Sequence, residues 1–200
     1  MNTIIVATQN MGKVKEIKKI LMDLPVEVKT MGEAGIDIDI EENGITFEDN
    51  AKIKSEAISR LMPEAIVIAD DSGLEIDCLN KEPGVHSARY LGKDTPYNIK
   101  NQTILDNLKD VPKESRSARF VCAIAMSMKD KETITTRATL EGSIGYEIKG
   151  ENGFGYDPIF FIDELGTYSA MLSLEEKNKI SHRAKALKNM KQEIVKFINN

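Results

Sequence analysis

The chain is poor in the residues from which metal clusters and disulfide frameworks are built. Its 200 residues include two cysteines, Cys78 and Cys122, and two histidines, His86 and His182. The cysteines lie far apart and form no C-x-x-C pair, which excludes a thiolate cluster and favours two free thiols in a reducing compartment. Two histidines exclude a multi-histidine zinc site. No apolar stretch approaches the roughly 20 residues that span a bilayer. The opening run Met1–Val6 passes at once into polar residues without a signal-peptide layout, so a cytoplasmic setting is expected. An excess of basic charge is also missing. Lys and Arg number 27 against 32 Asp and Glu, a net charge of −5. That balance argues against a nucleic-acid polymer as partner but not against a small anion held by local Lys and Arg. The pattern G-x-x-x-x-G-K-[ST] is absent, which excludes a P-loop.

What remains is an ordinary globular composition, 41% hydrophobic and 30% charged, long enough for one domain with a real core. Ile4–Ala7 reads as a strand and Thr8–Lys13 as a polar loop. Val14, Ile17, Ile20, Leu21 and Leu24 then repeat at helical spacing and stop before Pro25. Val26–Thr30 predicts a second strand, and Thr46 an N-cap for a helix running to Met62. The apolar run Ile66–Ile68 predicts a buried strand ending in a turn at Asp70-Asp71, with another short strand at Leu74–Cys78. A helix begins at Pro96, with Tyr97, Ile104, Leu105 and Leu108 on one face. Arg119–Met128 and Thr133–Glu141 predict a hairpin about Lys129-Asp130-Lys131. A strand is expected at Ile159–Ile162, a capping box at Ser173 and Glu176, and a closing helix from Ser181. Strand–helix alternation with a central hairpin points to an α/β protein with a mixed sheet.

Two adjacent carboxylates, Asp70 and Asp71, at the mouth of a buried strand call for a cation or a shared proton. A hard divalent ion such as Mg²⁺ takes one or two carboxylates plus substrate phosphates, and Glu42 with Asp71 would fit that requirement. Thr8-Gln9-Asn10-Met11-Gly12-Lys13 lies between a strand and a helix, where backbone N–H groups and the helix dipole can seat a phosphate. The plainer alternative is an ordinary turn with a solvated lysine. Asn50 and Lys54 share one helix face, toward a ligand or toward water. In Gly153-Phe154-Gly155-Tyr156-Asp157-Pro158 two glycines flank a ring that either stacks on a flat ligand or is buried in a turn. Lys177, Ser181, His182 and Arg183 gather cations and donors before the last helix, where His182 alone reads more readily as a capping or core histidine.

In order, the motifs Ala7-Thr8-x-Asn10-x-Gly12-Lys13-x-x-Glu16, Glu42-x-Gly44-x-Thr46-Phe47-x-x-Asn50-Ala51-x-x-Lys54, Ala69-Asp70-Asp71-Ser72-Gly73-Leu74, Pro83-Gly84-Val85-x-Ser87-Ala88-Arg89, Gly153–Pro158 and Lys177-x-x-x-Ser181-His182-Arg183 resemble the inosine triphosphate pyrophosphatase family. The resemblance implies a mixed, elongated sheet with helices on both sides, two lobes around a central active-site cleft, and a homodimer. It implies Mg²⁺-dependent hydrolysis of ITP, dITP or XTP to the monophosphate and pyrophosphate. By motif position it implies that Thr8, Gln9, Asn10, Met11, Gly12 and Lys13 bind the triphosphate. Glu42 and Asp71 would hold the metal, with Asp71 also the proton acceptor. Lys54, Ser72, Phe154, Gly155, Tyr156, Asp157, Lys177, His182 and Arg183 would line the nucleotide site.

A preference for 6-oxo purines would follow if donors such as His182 or Arg183 met the base oxygen, since adenine presents an amino group there. Three rivals remain. One is a module that binds nucleotides without turnover. Another is a haloacid-dehalogenase-type phosphatase, which would want D-x-D after the first strand where Ala7-Thr8 stands. The third is a related-fold pyrophosphatase acting on modified pyrimidine nucleotides.

Overall fold

The computed structural model describes residues 2–198. Among these, seven strands form one open, mixed sheet. They are β1 (Asn2–Val6), β2 (Val26–Thr30), β3 (Ile66–Ile76), β4 (Ser117–Ser127), β5 (Ile134–Ile144), β6 (Phe160–Ile162) and β7 (Thr167–Tyr168). The spatial order is β2-β1-β3-β4-β5-β6-β7. β1 pairs parallel with both β2 and β3, whereas β6 pairs antiparallel with β5 and β7. The helices are α1 (Met11–Leu21), α2 (Phe47–Leu61), α3 (Tyr97–Asn107), α4 (Leu174–Ile180) and α5 (His182–Ile198).

The chain divides into two compact units. The first comprises residues 1–71, 122–138 and 182–200, and the second residues 72–121 and 139–181. In the first unit, side-chain alternation along β1 and β3 sorts the core into two layers. Ile4, Val6, Ile66 and Ile68 pack against Ile17 and Leu21 of α1 and Ala186, Leu187, Met190 and Ile194 of α5. Ile5, Ala7, Val67 and Ala69 pack on the other face with Ile58 of α2. The second unit is built around Leu74, Ile76, Ile104, Leu105, Leu108, Phe120 and Phe160. No helix among the described residues is long and apolar enough to cross a membrane.

Several ends are set by local chemistry. Asn10 caps α1 with Oδ1 accepting from Gly12 N at 2.9 Å and Lys13 N at 3.2 Å. Thr46 caps α2 through Asp49 N, and Ser173 and Glu176 form the expected capping box of α4. The Lys129-Asp130-Lys131 turn is closed by Lys131 N donating to Met128 O at 3.3 Å.

Three expectations need correction. Asp70 and Asp71 are not in a turn: β3 runs unbroken from Ile66 to Ile76, and only then does a short 3₁₀ turn follow at Asp77–Leu79. The strand continues because each carboxylate finds a cation on its own face of the sheet, as set out below. The loop after β1 is shorter than expected, since the Asn10 cap starts α1 at Met11 and places Gly12 and Lys13 inside the first turn. Tyr97 does not share the burial of Ile104 and Leu108; it is 37% exposed and meets Tyr156 edge-on at 5.3 Å.

Candidate functional site

Because successive side chains of a strand point to opposite faces, Asp70 follows Ile66 and Ile68 toward α1 and α5, and Asp71 follows Val67 and Ala69 toward α2. The two neighbours therefore sit in different electrostatic settings. Asp70 is fully buried. Its Oδ1 lies 2.5 Å from Lys13 Nζ, and its Oδ2 accepts from Arg183 Nε at 2.7 Å and from the Cys122 thiol at 3.1 Å. Burial alone would raise its pKa, but the charges of Arg183 and Lys13 outweigh that and hold it well below the usual carboxylate range. Arg183 reaches on to Glu16 of α1, Nη1 to Oε2, at 2.5 Å. Burial and the Asp70 charge together push the Cys122 thiol well up.

Asp71 has weaker support. Oδ1 receives Lys54 Nζ at 3.2 Å, and Oδ2 is buried without a hydrogen-bond partner. Burial raises its pKa above the ordinary value; Lys54 and Lys13 oppose this, while Glu42 and Asp70 add to it. The same Lys54 ammonium lies 2.7 Å from Glu42 Oε2. Glu42 and Asp71 thus converge on one cation, their oxygens no further apart than those two contacts allow. Burial would lower the Lys54 pKa, but Asp71 and Glu42 carry it above its ordinary value.

The segment bearing Glu42 is pinned to α2, because Gly44 N donates to Asn50 Oδ1 at 2.8 Å. A Cβ at Gly44 would stand 2.6 Å from Asp49 Cβ and 2.8 Å from Asn50 Oδ1, so only glycine allows this approach. No group of three or more His, Cys, Asp or Glu suited to a metal exists among the described residues. Magnesium does not need one. Two hard carboxylates, one with a buried oxygen that lacks a partner, fit an ion that fills its shell with water and phosphate oxygen.

Near these acids, the β1–α1 junction presents Thr8, Gln9, Asn10 and Met11 at the surface. Two of the backbone donors offered there, Gly12 N and Lys13 N, already bond the Asn10 side chain. Lys13 keeps a side-chain exposure of 13% while paired to Asp70. The first unit therefore holds two sets of ion pairs, Lys13–Asp70–Arg183 on one face of β3 and Glu42–Lys54–Asp71 on the other.

Residues 4–193 match the Ham1 family. The chain belongs to the Ham1 family. It is 50% identical over 192 residues to a dITP/XTP pyrophosphatase of Bacillus subtilis, covering 95% of this chain and 96% of the relative. Identity to the dITP/XTP pyrophosphatase of Caldanaerobacter subterraneus is 49% over 196 residues, 98% of each chain. The Ham1 protein of Staphylococcus aureus matches with a TM-score of 0.86 at 42% identity over 98% of both chains. A HAM1 protein from Coxiella burnetii matches with a TM-score of 0.87 at 38% identity, covering 98% of this chain and 100% of that one. These names agree with the resemblance that the ordered motifs carry.

In the second unit of this Ham1 chain, β3 continues into Ser72, and the Gly153–Pro158 loop folds around Asp157. Asp157 is 2% exposed and accepts from Phe154 N at 2.9 Å, Ser169 Oγ at 2.7 Å and Lys177 Nζ at 2.6 Å. Gly153 has φ +78°, and a Cβ there would stand 2.2 Å from Asp157 Oδ2. Lys177 Nζ lies 5.1 Å from the Phe154 ring centroid, a cation–π distance. Lys177 is therefore a buried anchor of the loop, not a solvated cation. Tyr156 is buried and donates its hydroxyl to Ser87 O at 2.7 Å, and Asn101 Nδ2 donates to Gly155 O at 3.1 Å.

His182 and Arg183 open α5 in the first unit and are both buried. Sequence reading gave no role to three residues of this arrangement. Glu16 and Cys122 support Asp70, and Ser87, from a motif that says little alone, holds Tyr156. Glu16 sits in the first motif, but only the fold brings it to Arg183.

Proposed function

We propose that this chain hydrolyses the non-standard purine nucleoside triphosphates ITP, dITP and XTP between the α and β phosphates, giving the monophosphate and pyrophosphate, with Mg²⁺ held by Glu42 and Asp71. One observation carries the reading. Two carboxylates from separate stretches of chain converge on a single buried cation, and one of them keeps a buried oxygen without a partner. The names of the relatives support the substrate class.

When bound, the ion supplies charge neutralisation for the phosphates and a hard Lewis acid. The residues do the rest. Thr8–Lys13 receive the anionic tail at the start of α1, where the dipole and the Lys13 charge favour it. Asp71 takes the proton of the attacking water, and its raised pKa suits that task better than the depressed one of Asp70. Asp70, held by Arg183 and Lys13, keeps the strand in place so that Asp71 points toward α2. Arg183 has Nε and Nη1 engaged with Asp70 and Glu16, so its part is to support that carboxylate, and His182 is the better donor to a 6-oxo group. Phe154 offers a face for stacking on a base. The family resemblance assigns Ser72, Asp157 and Lys177 of the second unit to the nucleotide as well. We assign the protein to the cytoplasm and to a homodimer on the family resemblance, and sedimentation velocity tests the dimer.

The decisive experiment offers ITP, XTP, dITP, ATP, GTP and dTTP with and without Mg²⁺ and identifies both products. Pyrophosphate from the 6-oxo purines, only with metal, is expected. Orthophosphate, tight binding without any product, or preferential cleavage of a pyrimidine substrate would each overturn the assignment. Asp71→Asn is expected to retain its circular dichroism spectrum and lose about 10²–10⁴-fold in kcat.

A further inference from the structure

One ammonium, that of Lys54, joins Glu42 to Asp71, the two carboxylates assigned to the metal. We propose that Lys54 is a resident counter-ion of the metal site, which a divalent cation must displace, so that free metal binds weakly and the phosphate tail completes the exchange by taking the lysine. This rests on the assignment of Glu42 and Asp71 as the metal's carboxylates.

Lys54 is buried on α2 and its Nζ is within hydrogen-bond distance of an oxygen from each acid, 2.7 Å from Glu42 and 3.2 Å from Asp71. A divalent ion held by the same two side chains would compete with a positive charge that cannot move without breaking both contacts. Without the lysine the two acids would face each other with their repulsion uncompensated. Lys54 therefore holds the pair close. It also sets a threshold, because the ion has to replace what the lysine supplies. A nucleotide lowers that threshold by offering the released ammonium phosphate oxygens as new partners. Binding of metal and nucleotide is then coupled, and by linkage the coupling is reciprocal. Lys54 thus acts as a selector for the metal–nucleotide complex over either component alone.

The test uses the full chain and Mn²⁺ as the probe, without nucleotide, read by electron paramagnetic resonance or calorimetry at pH 8. Lys54→Met is expected to bind Mn²⁺ at least tenfold more tightly than the native chain, and Lys54→Arg, which keeps the charge, no more tightly than native. Circular dichroism on each variant establishes that it is folded; Lys54→Arg against native carries the comparison if Lys54→Met is not. Native protein binding Mn²⁺ as tightly as Lys54→Met, or Lys54→Arg binding it tenfold better than native, would overturn the exchange and leave the metal assignment standing. If Lys54→Met/Glu42→Gln still binds Mn²⁺ as well as Lys54→Met, the metal sits elsewhere and the assignment itself fails.

Discussion

Arg183→Met is the sharpest probe of the charges buried behind the site. Arg183 is 2% exposed and bridges Glu16 at 2.5 Å and Asp70 at 2.7 Å, which are themselves 3% and 0% exposed. At an effective dielectric of about 20, a contact of that length carries about 6 kcal/mol of Coulomb energy, most of it offset by the desolvation of both ions. Removing one partner from such a pair costs about 3–5 kcal/mol, because the other charge stays buried. Asp70 keeps Lys13 while Glu16 loses the guanidinium, so a loss within that range is expected. Set against a total stability of about 5–15 kcal/mol, the variant should be folded but marginal. Urea unfolding followed by circular dichroism measures the loss from the midpoint and slope. Adding Glu16→Gln removes the buried charge that Arg183 offset, so the double variant should be more stable than Arg183→Met alone. Stability within about 1 kcal/mol of native for Arg183→Met, or further loss on adding Glu16→Gln, would refute the reasoning.

Other outcomes follow from the same geometry. The depressed pKa of Asp70 means that its carboxylate stabilises the fold at pH values above the unfolded value of about 3.9 and that this contribution is lost as pH falls below it toward the folded value. Asp70→Asn should accordingly narrow the gap in urea midpoint between pH 7 and pH 3, and an unchanged gap would remove Asp70 from the acid response. A thiol reagent at pH 8 should modify Cys78, which is exposed, and reach Cys122, buried with its pKa pushed well up, only after denaturant is added. Arg116 is 1% exposed and donates to the carbonyls of Leu108, Val111, Ile144 and Gly145. Arg116→Met leaves those oxygens without their donor and should cost about 3 kcal/mol by urea unfolding.

The first two strands, α2, the hairpin and α5 were legible because their signals are local: apolar runs, a threonine cap, a polar turn, a helical stripe through Leu187, Met190 and Ile194. Asp70-Asp71 was misread as a turn for an equally physical reason. Acids followed by Ser-Gly are good turn formers, and what keeps them extended comes from distant residues, Lys13 and Arg183 on one face and Lys54 on the other. The Glu42–Lys54 contact lies within reach of sequence reasoning, since Asn50 and Lys54 share a helix face and Asn50 ties down the Glu42 segment. Glu16 to Arg183 does not, being a contact between opposite ends of the chain. The charge of Lys177 is visible in the sequence, whereas its burial against Asp157 is not.

The discontinuous make-up of the first unit has a consequence for synthesis. Its parallel strands are made well before Ala186, Leu187, Met190 and Ile194, which seal one face of them. The nascent chain must carry Ile4, Val6, Ile66 and Ile68 with that face uncovered until α5 has been made. Deleting residues 182–198 should therefore yield a product captured by chaperones or lost to aggregation, whatever the state of the segment between 72 and 121.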